Sequence, residues 1–385
     1  MTHPSFEYIL VGCTAAIVSF LLTPVARRIA IRMGAVAKPR DRDVHAVATP
    51  RMGGIALFAG ITLAILVGSH LPTLGSAFNF GPDLPWLIVS GAIICLLGVL
   101  DDRFELDSLT KLAGQVVATG VMVILGGVQL EQIYIPGVGT ELLGTNDGIP
   151  LTILLTLVTV NALNFIDGLD GLAAGVTAIS ALAFFVFAYH LAQDGYVGAA
   201  SPPTLIAAAL VGACLGFLPH NFSPARIFMG DSGSMLVGLM LSAAATTATE
   251  GTDPSAFGST LGSLPILLPL IIPLAVLALP FVDLLLAVTR RVRRGRSPFS
   301  PDKQHLHHRF LEIGHSHRRA VLLLYFWSAL IAFGGVGLSY DGSQWLVVWV
   351  LSALVVVGLL LTLLPSLRDR VTGPFRRGGV GSGAR

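Results

Sequence analysis

Long apolar stretches recur along the whole chain, and short segments that carry most of its charged residues separate them. A helix needs roughly 20 apolar residues to cross the hydrocarbon core of a bilayer. The ninth stretch contains Pro269, Pro273 and Pro280, so we expect that helix to be kinked or broken. The pattern predicts about eleven membrane-spanning helices, at residues 6–25, 53–71, 84–100, 109–128, 150–166, 172–192, 203–222, 234–249, 264–289, 320–338 and 345–364.

The basic residues predict how these helices are oriented. Cytoplasmic loops of membrane proteins are enriched in Lys and Arg. All 24 Lys and Arg residues fall in alternate connecting segments. These segments are residues 26–52, 101–111, 161–171, 220–233, 290–319 and 365–385. We therefore expect the amino terminus outside the cell and the carboxyl terminus in the cytoplasm.

Composition supports an all-α integral membrane protein. The 385-residue chain is 54% hydrophobic and 12% charged, with a mean hydropathy of +0.78, whereas soluble domains carry about 25% charged residues. We expect residues 1–367 to form one membrane domain. Residues 368–385, rich in Gly and Arg, are expected to form a disordered cytoplasmic tail close to anionic membrane lipids. No nucleic-acid partner is expected.

One external segment has a different pattern. Between residues 128 and 143, two short apolar runs flank Pro136-Gly-Val-Gly139. Such runs on either side of turn residues predict a small β-hairpin.

Carboxylates and amides collect at the cytoplasmic ends of the predicted helices. Ionisable residues at membrane depth are costly, so they need partners or a function. Asp101 and Asp102 end the third span, and a group between Asn161 and Asp170 ends the fifth. Asp231 lies between the seventh and eighth spans. Separate elements thus deliver polar groups to one side of the membrane.

Two adjacent carboxylates, Asp101 and Asp102, can hold a divalent cation or position a phosphate through one. The alternative is a solvated pair at a helix end beside Arg103. Lys111 and Gln115 share one face of the fourth helix, and a Lys one turn inside a span can extend to the mouth and meet a phosphate. Ordinary anchoring by a basic residue remains open for Lys111.

The fifth span ends in Asn161, Asn164, Asp167 and Asp170, which recur every three residues. Neighbours at this spacing touch on a helix, and Gly168 and Gly171 indicate a turn where backbone approaches a ligand. Amides and carboxylates together suit contacts to a nucleotide and a metal. The alternative is a capped helix–turn–helix junction with Asp170 as the N-cap.

The segment from Arg226 through Phe228 to Gly230-Asp231-Ser-Gly-Ser234 opens the eighth helix. The free N–H groups and the dipole of a helix start suit phosphate. Asp231 can ligate Mg²⁺, which prefers oxygen ligands, and Phe228 can stack on a base. The alternatives are Asp231 as an N-cap and Phe228 as apolar filler.

A basic loop rich in histidine follows the ninth span. Its imidazoles can donate to a diphosphate or to a sugar hydroxyl, and its arginines can bind phosphate through two hydrogen bonds. Zinc is the rival interpretation, but no Cys or Glu accompanies these histidines at a zinc-motif spacing. The candidates in this loop are Asp302, His305, His307, His308 and Arg309.

These segments resemble those of the polyprenyl-phosphate N-acetylhexosamine-1-phosphate transferase family. The matching motifs are Leu100-Asp-Asp-Arg103, residues 161–171, Phe228-Met-Gly-Asp-Ser-Gly-Ser234 and His305-Leu-His-His-Arg309. The last motif is similar to that of the WecA/TagO branch, which uses UDP-N-acetylglucosamine. A branch that uses UDP-N-acetylmuramoyl-pentapeptide tends to have three consecutive histidines there. The first inner loop has Ala48 where the family usually has proline.

The resemblance implies Mg²⁺, for which Mn²⁺ can substitute, a UDP-amino-sugar donor, a polyprenyl phosphate acceptor and UMP as the second product. It also allows a homodimer. It implies that Asp231 binds Mg²⁺, with Asp102 as a further ligand. The implied catalytic residues are Asp101, Asp102, Asp167, His307 and His308. The implied substrate-binding residues are Lys111, Asn161, Asn164, Asp170, Arg226, Phe228, Asp302, His305 and Arg309.

The expected reaction is one in-line displacement at the cytoplasmic face of the plasma membrane. A phosphate oxygen of the lipid attacks the β-phosphorus of the UDP-sugar, and UMP leaves. A two-step route through a phosphorylated Asp102 or Asp231 is the competing mechanism. A secondary transporter is the rival function, but transporter sites lie near the bilayer midplane, often between repeats.

Overall fold

The computed structural model describes residues 4–37, 48–78, 83–135, 139–193, 201–249, 316–338 and 344–376. Helices dominate these residues. They are α1 (Pro4–Met33), α2 (Gly54–Ser69), α3 (Leu84–Phe104), α4 (Ser108–Gly120), α5 (Thr145–Ile166), α6 (Leu172–Gln193), α7 (Pro202–Asn221), α8 (Gly230–Thr247), α9 (His317–Leu338) and α10 (Gln344–Arg376). A 3₁₀ helix spans Leu74–Phe78, and a π-helical turn, Val121–Leu125, continues α4.

Two small antiparallel sheets complete the described elements. Strand β1 (Val36–Ala37) pairs with β2 (Thr49–Pro50), so that the residues after α1 run beside those before α2. Strand β3 (Gln132–Ile135) pairs with β4 (Gly139–Leu142), with Gln132 opposite Leu142 and Ile135 opposite Gly139. The second sheet falls in the segment where the sequence predicts a hairpin, and its position outside the membrane stays a prediction.

Each predicted span apart from the ninth coincides with a helix. Seven of the helices are long and apolar enough to cross a membrane: α1, α3, α4 with its π-helical turn, α5, α6, α7 and α9. Shorter apolar helices lie at Gly54–Ser69 and Leu346–Thr362. The predicted ninth span lies outside the described residues. The total of eleven and the orientation in the membrane stay predictions.

Helix α8 lies at the centre of the bundle. It contacts α2, α3, α5 and α7, and every residue from Ser232 to Thr247 is buried. Because its side chains face other helices, α8 can carry Gly, Ser and Thr where a lipid-facing helix needs large apolar groups. This explains why a helix predicted as a span is not among the seven apolar ones.

The outer helices pack around this centre in pairs. Helix α1 lies against α2 and α7, α6 lies against α7, and α9 contacts both α6 and α10. The C-terminal ends of α3 and α5 and the N-terminal ends of α4 and α8 come together at one end of the bundle. The functional candidates of four separate elements therefore meet there.

Candidate active site

The start of α8 is held by a carboxylate from α3. Oδ1 of Asp102 accepts a hydrogen bond from the backbone N–H of Asp231 at 2.9 Å. Oδ2 of the same side chain accepts from the N–H of Ser232 at 3.2 Å and from its hydroxyl at 2.9 Å. The first N–H groups of a helix have no partner within the helix and favour negative charge. Asp102 therefore satisfies and neutralises the N-terminus of α8.

Glycine is required at position 230 for two reasons. Its φ is +69°, a left-handed conformation that side chains disfavour. A Cβ there would also lie 2.5 Å from Oδ2 of Asp102. Gly230 thus allows the chain to turn into α8 while Asp102 caps that helix.

Asp231 lies in the first turn of α8 and does not cap the helix, so the N-cap alternative for it is wrong. The residue at the N-cap position is Met229. The side chain of Asp231 accepts instead from Asn164 Nδ2 at 2.5 Å and from Lys111 Nζ at 2.5 Å. Its side chain keeps 32% exposure, so a ligand can reach it.

Lys111 connects the carboxylate of α8 to that of α3. Its ammonium lies 2.8 Å from Oδ2 of Asp101 and also donates to the Asn164 side-chain oxygen at 3.3 Å. Oδ1 of Asp101 accepts from the N–H of Leu106 at 2.8 Å. A single cation is therefore shared by two carboxylates that would otherwise repel each other.

A second pair of polar side chains lies one helical turn away from Lys111 and Asn164, on the same helices, α4 and α5. Gln115 of α4 and Asn161 of α5 exchange hydrogen bonds, the shorter being Asn161 Nδ2 to Gln115 Oε1 at 2.9 Å. The Gln115 amide also donates to the sulfur of Met235. This pair joins α4 to α5 next to Lys111 and Asn164. None of these hydrogen bonds connects Asn161 to a carboxylate of the cluster.

Asp167 follows α5 and contacts the turn before α8. Its Oδ2 accepts from the N–H of Gly230 at 3.0 Å. Loss of water raises the pKa of the Asp167 carboxyl well above its usual range, and the charges of Asp231 and Asp102 raise it further. The hydrogen bond from Gly230 and the positive charge of Arg51 oppose this rise. Additional positive charge near Asp167 would favour loss of its proton.

Asp170 shapes the loop between α7 and α8. It is 3% exposed, and its Oδ2 accepts from the N–H of Ala225 at 3.0 Å. The Asn221 amide donates to the carbonyl of Ile227, and Arg27 donates to that of Arg226. These side chains fix the loop that leads to Phe228.

The two candidates on this loop differ in exposure. Arg226 is exposed and Phe228 is half-buried. The backbone of Phe228 is bound to the end of β2 and to the residues after it, because its N–H donates to the carbonyl of Pro50 and its carbonyl accepts from the N–H of Gly53. The backbone that carries the aromatic ring is therefore held in place just before α8.

The structure therefore brings together Asp101, Asp102, Lys111, Asn164, Asp167 and Asp231. Asn161 and Asp170 lie at the edges of this cluster and support it. The remaining candidates, Asp302, His305, His307, His308 and Arg309, lie outside the described residues. Sequence reasoning left out Ser232, Ser234 and Arg51, although the Gly-Asp-Ser-Gly-Ser run contains the first two and a Pro-Arg-Met-Gly-Gly run contains the third.

The donor set fits a hard divalent cation that is shared with a ligand. Within the described part of the chain, no group of three or more His, Cys, Asp or Glu side chains is arranged to hold a metal ion by itself. Mg²⁺ typically binds to one or two carboxylates and completes its shell with water and substrate phosphates. Asp231, accessible and surrounded by further carboxylates, meets that requirement.

Comparison with known proteins places this architecture in a class. The profile of the family described as glycosyl transferase family 4 matches residues 84–249, the part that contains α3 to α8. Relatives that are 50% identical cover 95% of the chain. The chain is a multi-pass membrane protein that belongs to this transferase family, and the resemblance read from its motifs is confirmed.

Within the family, the chain is similar to enzymes that act on polyprenyl phosphates. A decaprenyl-phosphate N-acetylglucosaminephosphotransferase of Mycolicibacterium smegmatis is 50% identical over 369 residues, 95% of this chain and 90% of the relative. The protein of the same name in Mycobacterium tuberculosis is 50% identical over 368 residues, again 95% and 90%. A probable undecaprenyl-phosphate N-acetylglucosaminyl 1-phosphate transferase of Bacillus subtilis is 31% identical over 358 residues, 93% and 92%.

Proposed function

We propose that the protein transfers N-acetylglucosamine 1-phosphate from UDP-N-acetylglucosamine to a polyprenyl phosphate and releases UMP, which initiates cell-envelope glycan synthesis. The names of relatives that are 50% identical over 95% of the chain support this activity. The observation that carries the proposal is the cluster around Asp231 in the first turn of α8. Lys111 of α4 and Asn164 of α5 both donate to Asp231, and Lys111 also forms a salt bridge with Asp101 of α3.

The transfer is a single displacement. A phosphate oxygen of the lipid forms a bond to the β-phosphorus of the donor, the bond from that phosphorus to the oxygen of UMP breaks, and UMP leaves with the electron pair. A phosphate monoester has a second pKa near about 6, so it is mostly dianionic at neutral pH. The attacking oxygen therefore needs little deprotonation, and Asp101 acts mainly by positioning.

The other residues of the cluster have separate roles in the proposed transfer. Asp231, with support from Asp102 or Asp167, would hold Mg²⁺, which would supply positive charge to neutralise the diphosphate and the leaving group. Lys111 screens the repulsion between the two anionic substrates. Asn164 and Asp167 contact the nucleotide or its diphosphate, Phe228 faces the uracil, and the loop with His305, His307 and His308 meets the sugar.

The hydrogen bonds of Asp102 favour this one-step route over a phosphorylated intermediate on that residue. Both of its carboxylate oxygens accept bonds from the first residues of α8. A nucleophile would have to give up these bonds before it attacked phosphorus. Labelled phospho-enzyme formed from UDP-N-acetylglucosamine without any lipid would contradict the one-step route.

We further propose that the protein lies in the plasma membrane with this site on the cytoplasmic face. UDP-sugars are soluble and cytoplasmic, and all basic residues fall in segments predicted to be cytoplasmic. Association into a homodimer is a further expectation from the resemblance. The acceptor is decaprenyl or undecaprenyl phosphate.

The test is UMP release by the purified protein with UDP-N-acetylglucosamine, Mg²⁺ and either decaprenyl or undecaprenyl phosphate. We expect UMP when lipid is present and none when it is omitted. A parallel reaction with UDP-N-acetylmuramoyl-pentapeptide separates the two branches of the family. Release with the pentapeptide donor alone, or uptake of a substrate into vesicles without UMP release, would contradict the proposal.

A further inference from the structure

The residues between β2 and α2 are fastened from both sides. Ala35, after α1, accepts a hydrogen bond from the N–H of Arg51 at 3.0 Å. On the other side, Pro50 accepts from the N–H of Phe228 at 2.8 Å, and Gly53 donates to the carbonyl of Phe228 at 3.1 Å. Arg51 is therefore attached by its backbone to the loop that leads into α8.

The next residue, Met52, has an unusual conformation. Its φ is +76°, a region that non-glycine residues rarely adopt and that costs about 1–3 kcal/mol. Its side chain is 0% exposed and packs in a small cluster with Ala30 and Ala35. Strained residues persist where their surroundings determine them, and they concentrate at functional sites. Met52 is thus a strained and fully buried residue directly after Arg51.

Arg51 lines a cleft of about 450 Å³ beside the acid cluster. The walls also include Ala37, Asp102, Arg103, Phe104 and Glu105. The positive charge of Arg51 acts on Asp167 as well, where it opposes the rise of the carboxyl pKa. The cleft therefore lies next to Asp102, and its arginine lies close enough to Asp167 to influence its charge.

The cleft is lined by both positive and negative side chains, and Arg51 is one of the positive ones. The salt bridges among the described residues are those of Lys111 with Asp101 and with Asp231, so neither Arg51 nor Arg103 forms a salt bridge with a described carboxylate. Among the described residues of the cleft walls, Arg51 and Arg103 are cationic and lie beside the carboxylates of Asp102 and Glu105. Loss of Arg51 would remove one of these two positive charges, which attract an anion.

We propose that Arg51 is a substrate-binding residue whose guanidinium holds a phosphate group in this cleft. The ligand chemistry is a phosphate monoester or a diphosphate, because the planar guanidinium matches phosphate oxygens through two parallel hydrogen bonds. This inference rests on the proposed transferase activity. The phosphate belongs either to the lipid acceptor or to the UDP-sugar donor, and kinetics distinguish them.

The experiment compares Arg51→Gln, Arg51→Lys and Arg32→Gln in the full-length purified protein. Arg32 is an exposed arginine at the end of α1 that does not line the cleft. We expect Arg51→Gln to raise KM for one substrate roughly tenfold or more, the loss of a charged hydrogen bond. Arg51→Lys should recover part of the loss, because it keeps the charge without the paired donors. Arg32→Gln should match the wild type.

Each outcome has a definite meaning. A higher KM for polyprenyl phosphate assigns the cleft to the acceptor, and a higher KM for UDP-N-acetylglucosamine assigns it to the donor. Unchanged KM values for both substrates in Arg51→Gln, with unchanged thermal unfolding, would overturn the inference. Should Arg51→Gln fail to fold, Arg51→Lys decides, since wild-type KM values in that variant contradict paired binding. A wild-type protein that releases no UMP refutes the proposed function instead.

Discussion

Lys111 is the residue on which the charges of the site depend. Its ammonium touches carboxylates of both α3 and α8, and its side chain is 18% exposed. Surface ion pairs contribute about 0–1 kcal/mol, and breaking a buried pair costs about 3–5 kcal/mol. The loss of Lys111 lies between these limits and leaves Asp101 and Asp231 facing each other without a cation.

Substitution Lys111→Met should therefore lower both activity and stability. We expect the free energy of unfolding to fall by about 2 kcal/mol and UMP release to fall by roughly 100-fold. Lys111→Arg keeps the charge and should retain more stability than activity, because the guanidinium cannot reproduce the same contacts. UMP release and thermal unfolding of the two variants measure both effects, and wild-type turnover of Lys111→Met would contradict the screening role.

At this scale the sequence predicted which polar residues would come together, but not the hydrogen bonds that they form. Carboxylates interrupting apolar runs indicated Asp101, Asp102, Asp167 and Asp231, because charge at membrane depth needs a reason. The bonds from Asp102 to residues 231 and 232 join positions 129 and 130 apart in the chain. Such bonds depend on how α3 and α8 pack, which a local pattern does not contain.

Close packing of α3 against α8 positions two carboxylates at the start of α8. Gly98 of α3 faces the backbone of that turn, and a Cβ there would lie 2.3 Å from the Cα and N of Ser232. Backbone atoms cannot move aside as a flexible side chain does. The small residue thus permits the approach that lets Asp102 cap α8.

Substitution Gly98→Ala should separate these helices. We expect a destabilisation of about 1–3 kcal/mol from overpacking and a larger proportional loss of UMP release, since Asp102 and Asp231 would lose their alignment. Gly120→Ala is the matched control, because a Cβ at Gly120 meets no atom within 4 Å. Equal effects of the two substitutions on activity would contradict the role of this contact.

Helix α9 is fastened to the turn that carries Asp167 and Asp170. The hydroxyl of Tyr325 donates to the carbonyl of Gly171, and Arg318 donates to the carbonyl of Ser223 at 2.9 Å. These bonds reach both segments that we assign to the nucleotide. Helix α9 thereby holds the two segments for which we propose contacts to the UDP-sugar.

Tyr325→Phe removes the hydroxyl and keeps the ring. We expect it to raise KM for UDP-N-acetylglucosamine several-fold, in keeping with a hydrogen bond worth about 1 kcal/mol, and to leave KM for polyprenyl phosphate unchanged. Tyr8→Phe is the control, since Tyr8 also has a buried hydroxyl that accepts from the N–H of Ser201 but lies away from the acid cluster. An equal rise of both KM values in Tyr325→Phe would contradict the assignment to the donor.

Element boundaries were predicted less accurately than the elements themselves. The first span was expected at residues 6–25, but α1 continues to Met33 past Arg27 and Arg28. A hydropathy pattern ends a span at the first charges, whereas Arg is a good helix former and continues the helix beyond the membrane. The π-helical turn after α4 likewise has no hydropathy signal.

For the whole molecule, long apolar stretches predicted a bundle of membrane-spanning helices, and the positions of the basic residues predicted its orientation. The helices follow from composition and length, so they could be read from the sequence. The central position of α8 could not be read from the sequence. Other helices surround α8, so it does not need the apolar surface that marks a lipid-facing helix. The orientation in the membrane is the whole-molecule prediction that needs its own experiment.

Cysteine labelling in intact cells tests this orientation. We expect a membrane-impermeant maleimide to label Glu141→Cys on β4, in the predicted external segment, and to leave Glu105→Cys unlabelled until the membrane is opened. Both side chains are exposed, so accessibility to the reagent depends on the side of the membrane. Labelling of Glu105→Cys in intact cells would contradict a cytoplasmic site.

The central claim is that the carboxylate of Asp231, at the meeting point of α3, α4, α5 and α8, is required for transfer. The most direct measurement is UMP release by Asp231→Asn beside Asp147→Asn, an exposed acid at the start of α5. We predict that Asp231→Asn folds with a wild-type elution profile and loses activity by roughly 100-fold or more, whereas Asp147→Asn keeps it. Wild-type turnover by a folded Asp231→Asn protein would contradict the account.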